Sequence, residues 1–170
     1  MDGVKNKKRF SGSTLSTKYL TDQGYVVANV EQTVRYPKKD GRRGPKGQPL
    51  EWNMFKRDLF NIADLLAVSR KAKGCLFVQY TTDKNVEAHF QKIAGLPVAR
   101  TLVAAENRIH VYGWKVSQGK GKPKTYSLTV HEITFDEDGL MQVNVVARHT
   151  VGEQEALFTE EAPGEAGGGI

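Results

Sequence analysis

The chain has 170 residues, a formal net charge of +6 and 39% apolar residues, which predicts one globular domain with a sizeable core. Its mean hydropathy of -0.49 and the lack of an apolar run of about 18 residues exclude a membrane-spanning helix. The polar first residues lack the apolar core of a secretion signal, so we expect a cytoplasmic protein. Cys75 is the only cysteine, which excludes an intramolecular disulfide and a cysteine-based zinc site.

Charge is distributed unevenly along the chain. Residues 151–170 contain five Glu and no Lys or Arg, so residues 1–150 carry a net charge of +11. A strongly basic body attracts polyanions, of which nucleic acid is the commonest in a cell. We therefore predict DNA as the partner, with solubility alone as the alternative interpretation of the charge.

Composition and periodicity predict a flexible basic arm (1–12), a folded domain (13–150) and a disordered acidic tail (151–170). The first helix is expected to begin at Ser13 as its N-cap and to end at Gly24. The other predicted elements are strands at 25–34, 60–69, 74–82, 108–116, 126–135 and 140–148, and helices at 83–95 and 97–106. The predicted order is α, β, β, β, α, a second short α, and then β, β, β.

Residues 35–57 interrupt this pattern with proline and glycine, and they carry eight basic residues against two acidic ones. We predict a long flexible basic loop that contacts phosphates, the alternative being a solvated disordered insertion. The candidate nucleic-acid-binding residues are Lys38, Lys39, Arg42, Arg43, Lys46 and Arg57 in this loop, and Lys84, Lys120, Lys122 and Lys124 elsewhere.

Polar side chains that could supply oxygen ligands to a metal ion lie on or beside the predicted strands. Glu31, Asp64 and Gln79 are placed among apolar residues, where an unpartnered polar group costs about 1 to 3 kcal/mol. A divalent cation such as Mg²⁺ or Mn²⁺ would satisfy them, so we predict a metal site made by these side chains. A salt bridge to the basic loop is the alternative for Glu31. Asp58 is predicted to cap a turn beside Arg57, with metal binding as the alternative.

Four segments, in order and spacing, resemble the PD-(D/E)XK nuclease superfamily, and its Holliday-junction-resolvase-like and phage-type members in particular. These segments are 24–31, 57–64, 78–82 with Asn85, and 111–115. The resemblance implies an α/β fold, namely a restriction-endonuclease-like αβββαβ core with a mixed central sheet, here followed by a C-terminal β-hairpin extension. It also implies a magnesium-dependent DNA endonuclease, with branched DNA as the candidate substrate, and a homodimer as the candidate assembly, since the resolvase-like members commonly act as dimers.

Two positions depart from the family pattern. Gln79 occupies the position of an acid, and Thr81 occupies the position of the catalytic lysine. Lys84 and Lys92 are the candidates for a displaced lysine, and we predict Glu31, Asp64, Gln79 and Lys92 as the catalytic set.

The alternative is a nucleic-acid-binding module on the same fold without catalysis. A protein-interaction factor whose acidic tail mimics nucleic acid is a third interpretation. The four histidines share no metal-ligand spacing and are predicted to be structural, with phosphate contact as the alternative for His89.

Overall fold

A mixed six-stranded sheet forms the centre of the fold, and helices cover both of its faces. The computed structural model describes residues 11–48 and 50–153. The elements in chain order are α1 (Gly12–Asp22), β1 (Val26–Asn29), β2 (Gln32–Pro37), β3 (Trp52–Arg57), β4 (Leu65–Val68), β5 (Leu76–Thr82), a 3-10 turn (Asp83–Asn85), α2 (Val86–Ala94), α3 (Pro97–Ala104), β6 (Arg108–Ser117), β7 (Thr125–Phe135) and β8 (Met141–Gly152). The chain is therefore an α/β protein, as predicted.

The strand order of the main sheet is β1-β4-β5-β6-β7-β8. β5 and β6 run parallel and are joined through α2 and α3, whereas the other neighbouring pairs are antiparallel. This arrangement places the start of β4 beside the ends of β1, β5 and β6. We call this end of the sheet the Asp64 end, because Asp64 directly precedes β4.

Two apolar clusters make the core, one on each face of the sheet. Leu76 and Val78 of β5 pack in the cluster that contains Leu20 of α1, whereas Phe77 packs in the cluster that contains Phe90 of α2. Successive side chains of a strand point to opposite faces, so a strand covered on both faces has a continuous apolar sequence. This explains the unbroken apolar run at the start of β5.

The predictions of a flexible loop over residues 35–57 and of a single strand over residues 25–34 are both wrong. β1 ends at Asn29, because the N–H groups of Val30 and Glu31 both donate to the carbonyl oxygen of Asp64 and the chain leaves the sheet there. The chain then forms β2, which pairs antiparallel with β3 in a separate two-stranded sheet. We call residues 32–57 the basic ribbon.

Most of the remaining predicted elements are confirmed, with shifted boundaries. The N-cap of α1 is Ser11 rather than Ser13, since the Ser11 hydroxyl accepts a hydrogen bond from the N–H of Thr14. β4 begins at Leu65 rather than at residue 60, because residues 59–63 form a tight turn. β8 continues to Gly152 with a buried Val151, which contradicts a disordered tail beginning at 151.

The predicted arm falls largely on residues 1–10 and the predicted tail largely on residues 154–170, and both of these ranges lie outside the described residues. Among the residues that the structure describes, no helix is both long and apolar enough to cross a membrane.

Candidate metal centre

Three carboxylates meet at the Asp64 end of the sheet. One oxygen each from Glu31, Asp58 and Asp64 lie within 4.8 Å of one another. Glu31 lies between β1 and β2, Asp58 directly follows β3, and Asp64 directly precedes β4. The three acids therefore occupy the junctions where the basic ribbon joins the main sheet. We call them the acid cluster.

A tight turn brings Asp58 back beside Asp64. The N–H of Ile62 donates to the carbonyl oxygen of Leu59 at 3.0 Å, and the two residues between them, Phe60 and Asn61, have φ angles of 55° and 59°. Positive φ at both central residues is the pattern of a type I′ turn. Asn accepts this conformation readily, but it costs roughly 1 to 2 kcal/mol for an ordinary side chain such as Phe. The strained residue therefore lies in the segment that joins two members of the acid cluster.

Asp64 is the buried member of the cluster, with 3% of its surface exposed. Its Oδ2 accepts hydrogen bonds from the backbone N–H of Tyr80, at 3.2 Å, and from Nε2 of Gln79. Burial, and next the negative charge of Asp58, raise the pKa of Asp64 to about 7. Near neutral pH this carboxyl group is therefore only partly ionised when no cation is bound.

Two lysines supply positive charge to the other two acids. Lys56 Nζ of β3 donates to Glu31 Oε2 at 2.7 Å, and Lys92 Nζ of α2 donates to Asp58 Oδ2 at 2.8 Å. The hydrogen bond to Glu31 raises the pKa of Lys56. Each pair joins the cluster to a different element, one to the basic ribbon and the other to the helix that follows β5.

The donor set of this site suits a hard divalent cation. All the charged ligands are carboxylate oxygens, which Mg²⁺ and Mn²⁺ prefer. Gln79 adds a second observation. The residue is 4% exposed and its Nε2 donates to Asp64, whereas its buried Oε1 has no hydrogen-bond partner among the described residues. A buried carbonyl oxygen without a donor is costly and is itself a ligand for such cations.

Two of the four predicted catalytic residues lie in the acid cluster, and the other two contact it through one of its members. Glu31 and Asp64 lie in one cluster, Gln79 contacts it through Asp64, and Lys92 contacts it through Asp58. The sequence interpretation of Asp58 as chiefly a turn cap missed its place in the cluster. It also missed Lys56, whose partner Glu31 is 25 residues away.

His89 also lies near the cluster, on α2. The pKa of this histidine is lowered, first by burial, then by the positive charge of Lys92, and Asp58 opposes the shift. Among the described residues, its buried Nδ1 has no hydrogen-bond partner. His89 therefore lies close enough to Lys92 and Asp58 to be influenced by their charges.

The predicted phosphate-contacting residues fall in several exposed places. Lys38 and Arg42 form ion pairs with Glu51 inside the ribbon, at 3.2 and 2.9 Å, and these contacts hold the ribbon tip in shape. Residues 118–124, which contain three of the predicted lysines, connect β6 to β7 at the Asp64 end of the sheet. Lys84 lies in the exposed 3-10 turn.

Comparison with known proteins adds no relative. A scan against models of protein families found no match, and neither did searches of curated proteins and of solved structures.

Proposed function

We propose that the protein is a metal-dependent DNA endonuclease that hydrolyses phosphodiester bonds and resembles the PD-(D/E)XK superfamily. The observation that carries this proposal is the acid cluster, in which three carboxylate oxygens lie within 4.8 Å of one another. Two ammonium groups and an unpartnered amide oxygen lie against it. The cluster also adjoins a strongly basic ribbon, which suits a phosphate-bearing substrate.

The order of elements supports the same proposal. Without the basic ribbon and α3, the chain reads α1, β1, β4, β5, α2, β6, which is the αβββαβ order of the superfamily. Asp64 lies at the start of the second of these core strands, and Gln79 lies on the third. β7 and β8 then form the C-terminal hairpin extension. The basic ribbon is an insertion between the first and second core strands.

The acid cluster would hold Mg²⁺ or Mn²⁺, with Gln79 completing or orienting its ligands. Such an ion, when bound, polarises a phosphate and lowers the pKa of a water molecule. The buried Asp64 would have to be ionised to bind a cation, so binding would release its proton. Glu31 and Asp58, which are now paired with Lys56 and Lys92, would supply the other two carboxylates. Gln79 is neutral, so the cation affinity of this set is weaker than that of four carboxylates.

Lys92 and Lys56 replace the charge that Thr81 cannot provide. Each ammonium lies within 2.8 Å of a carboxylate of the cluster. An ammonium released from its carboxylate is free to donate to a phosphate oxygen, where a positive charge stabilises the transition state of hydrolysis. Lys92 is held on a rigid helix packed against the core, and we assign it the catalytic role.

A cleavage assay tests the proposal. Duplex, branched and single-stranded DNA are incubated with Mg²⁺, Mn²⁺ or EDTA, and Mn²⁺ binding is measured in parallel by calorimetry. We expect metal-dependent cleavage by the native protein, and loss of both cleavage and Mn²⁺ binding in Asp64→Asn. Asp22→Asn, at the exposed end of α1 and paired with Lys18, is the matched control and should behave as the native protein does. Trace cleavage that is equal in all three proteins would mark a contaminant and contradict the proposal.

A catalytically inactive nucleic-acid-binding module is the second candidate. It is favoured by Gln79 and Thr81, which replace an acid and a lysine of the superfamily pattern. The same assay separates the two functions, because a binding module binds DNA in EDTA but shows no cleavage with either metal.

A further inference from the structure

The basic ribbon holds the whole net charge of the chain. Residues 32–57 contain eight basic and two acidic residues, a net charge of +6, whereas the other 144 residues contain seventeen of each sign. Lys38 and Arg42 share Glu51 as partner, and most of the other basic residues line the exposed tip and edges. Positive charge is therefore concentrated on one projecting hairpin rather than spread over the surface.

Both faces of the ribbon are exposed, and both carry apolar side chains. Every residue of β2 and β3 is exposed except the half-buried Val34. On one face Tyr36 and Phe55 stack with their ring centroids 4.9 Å apart, and on the other face Trp52 and Met54 are 49% and 65% exposed. A two-stranded ribbon without packing on either face is only marginally stable in water, so these side chains favour a ligand that covers both faces.

The base of the ribbon is the acid cluster. Glu31 immediately precedes β2, and Asp58 immediately follows β3. Lys56 of β3 donates to Glu31. The ribbon therefore begins and ends at members of the acid cluster.

We propose that the basic ribbon enters the major groove of a double-stranded nucleic acid and so brings a backbone phosphate to the acid cluster. This inference rests on the proposed function for its choice of a phosphodiester ligand. The major groove of a DNA duplex accommodates a two-stranded β-ribbon, and its two walls would cover both faces of the ribbon at once. A single strand would cover only one face. A second copy of the ribbon is disfavoured as the occupant, because each copy carries a net charge of +6.

The test is DNA binding in EDTA, where hydrolysis does not occur. A labelled short duplex and each of its single strands are titrated with three proteins over a range of salt concentrations. The ribbon variant Lys39→Ala/Arg43→Ala/Lys46→Ala removes three tip charges. The control variant Arg70→Ala/Lys71→Ala/Lys73→Ala removes three charges from the turn between β4 and β5, at the opposite end of the sheet.

We expect the native protein to bind the duplex about tenfold or more tightly than the single strands. The ribbon variant should lose about tenfold or more in duplex affinity, and its slope of log affinity against log salt should fall by about 2 to 3, since each lost phosphate contact removes about 0.9. The control variant should bind nearly as well as the native protein. Equal or preferential binding of single strands, or equal losses in the two variants, would overturn the proposal.

The fluorescence of Trp52 provides an independent test, because Trp52 is half-exposed on the ribbon whereas Trp114 is buried in the core. Duplex DNA should change the fluorescence of the native protein, and the change should be absent in Trp52→Phe, which keeps an aromatic ring at this half-exposed position. An unchanged response in this variant would overturn the placement of the ribbon in the groove. Duplex binding by the ribbon without cleavage in Mg²⁺ would contradict the proposed hydrolysis and support the ribbon inference, so the two failures are distinguishable.

Discussion

Lys92 Nζ lies 2.8 Å from Asp58 Oδ2 across 34 positions of the sequence. The pair joins α2 to the end of β3, and so places an ammonium group on the acid cluster from the side of the helix. Thr81, at the position where the superfamily pattern has its lysine, carries no charge. In the proposed enzyme, Lys92 supplies from the helix the charge that β5 lacks.

Replacing Lys92 separates catalysis from metal binding. In Lys92→Met we expect cleavage to fall by about 100-fold or more, the usual effect of removing one transition-state donor. Mn²⁺ affinity should stay the same or increase, because Asp58 loses the ammonium that competes with the cation. Single-turnover cleavage and Mn²⁺ calorimetry measure the two effects. Lys92→Arg, which keeps the charge, should recover part of the rate, and a parallel loss of rate and Mn²⁺ affinity in Lys92→Met would show that this lysine only shapes the metal site.

A fourth carboxylate should strengthen the metal site. Gln79→Glu places an acid beside Asp64, whose Oδ2 now accepts from Gln79 Nε2. We expect tighter Mn²⁺ binding, since affinity increases with ligand charge, together with a lower melting temperature in EDTA, since the added buried charge repels Asp64. Gln79→Leu is the control, and it should weaken Mn²⁺ binding. Unchanged Mn²⁺ affinity in both variants would place the ion elsewhere.

The pKa of Asp64 predicts a pH-dependent stability of the metal-free protein. Its pKa is about 7 in the folded protein and lies near 3.8 in an ordinary environment, so the folded state binds the proton more tightly than the unfolded state does. The native protein therefore loses stability as pH increases from about 4 to 7, because ionisation of the buried Asp64 is less favourable in the folded state than in the unfolded state. Asp64→Asn does not ionise and avoids this loss.

The measurement is urea unfolding of both proteins in EDTA at pH 5 and pH 8.5. The free energy of unfolding of Asp64→Asn minus that of the native protein should be larger at pH 8.5 than at pH 5. A difference that is the same at both values would show that Asp64 is ionised in the folded protein throughout this range.

The core could be predicted from the sequence better than the site could. Val86, Phe90 and Ile93 recur at helical spacing, and they form the buried side of α2, because a helix packed on a sheet must place its apolar residues in one stripe. Along β7, buried residues alternate with half-buried ones, because successive side chains of a strand point to opposite faces of the sheet. Such local periodicity holds wherever a single buried face decides the structure.

That reasoning did not predict the basic ribbon, and it gave metal binding only as the alternative for Asp58. Both faces of β2 and β3 are exposed, so no apolar alternation separates them from a loop, and the strands are joined by a segment rich in glycine, proline and lysine. Asp58 lies beside Asp64 across a turn in which Phe60 adopts a positive φ, which is unfavourable for that residue. Convergence of distant residues depends on such tertiary features, which local propensity does not report.

A buried hydrogen bond in the core provides a test of the fold that is independent of the site. The indole Nε1–H of Trp114 donates to Ser16 Oγ at 2.9 Å, and both residues are buried. Ser16→Ala leaves the indole N–H without an acceptor, so we expect a loss of about 1 to 3 kcal/mol in the free energy of unfolding. Thermal and urea unfolding measure it. Ser127→Ala, whose hydroxyl has an exposed partner in Thr150, should change stability by less than about 0.5 kcal/mol, and equal losses in the two variants would contradict this packing of α1.

Glu31 and Asp58 lie at the two ends of one antiparallel hairpin, and the register of its base is set by the pairing of Gln32 with Arg57. The separation of these two carboxylates therefore depends on the lowest rung of the ladder and not on how many rungs stand above it. Matched pairs of residues can therefore be added to or removed from the outer part of the hairpin while the spacing of the two carboxylates is conserved. In the proposed enzyme, this separates the choice of target from the chemistry beneath it.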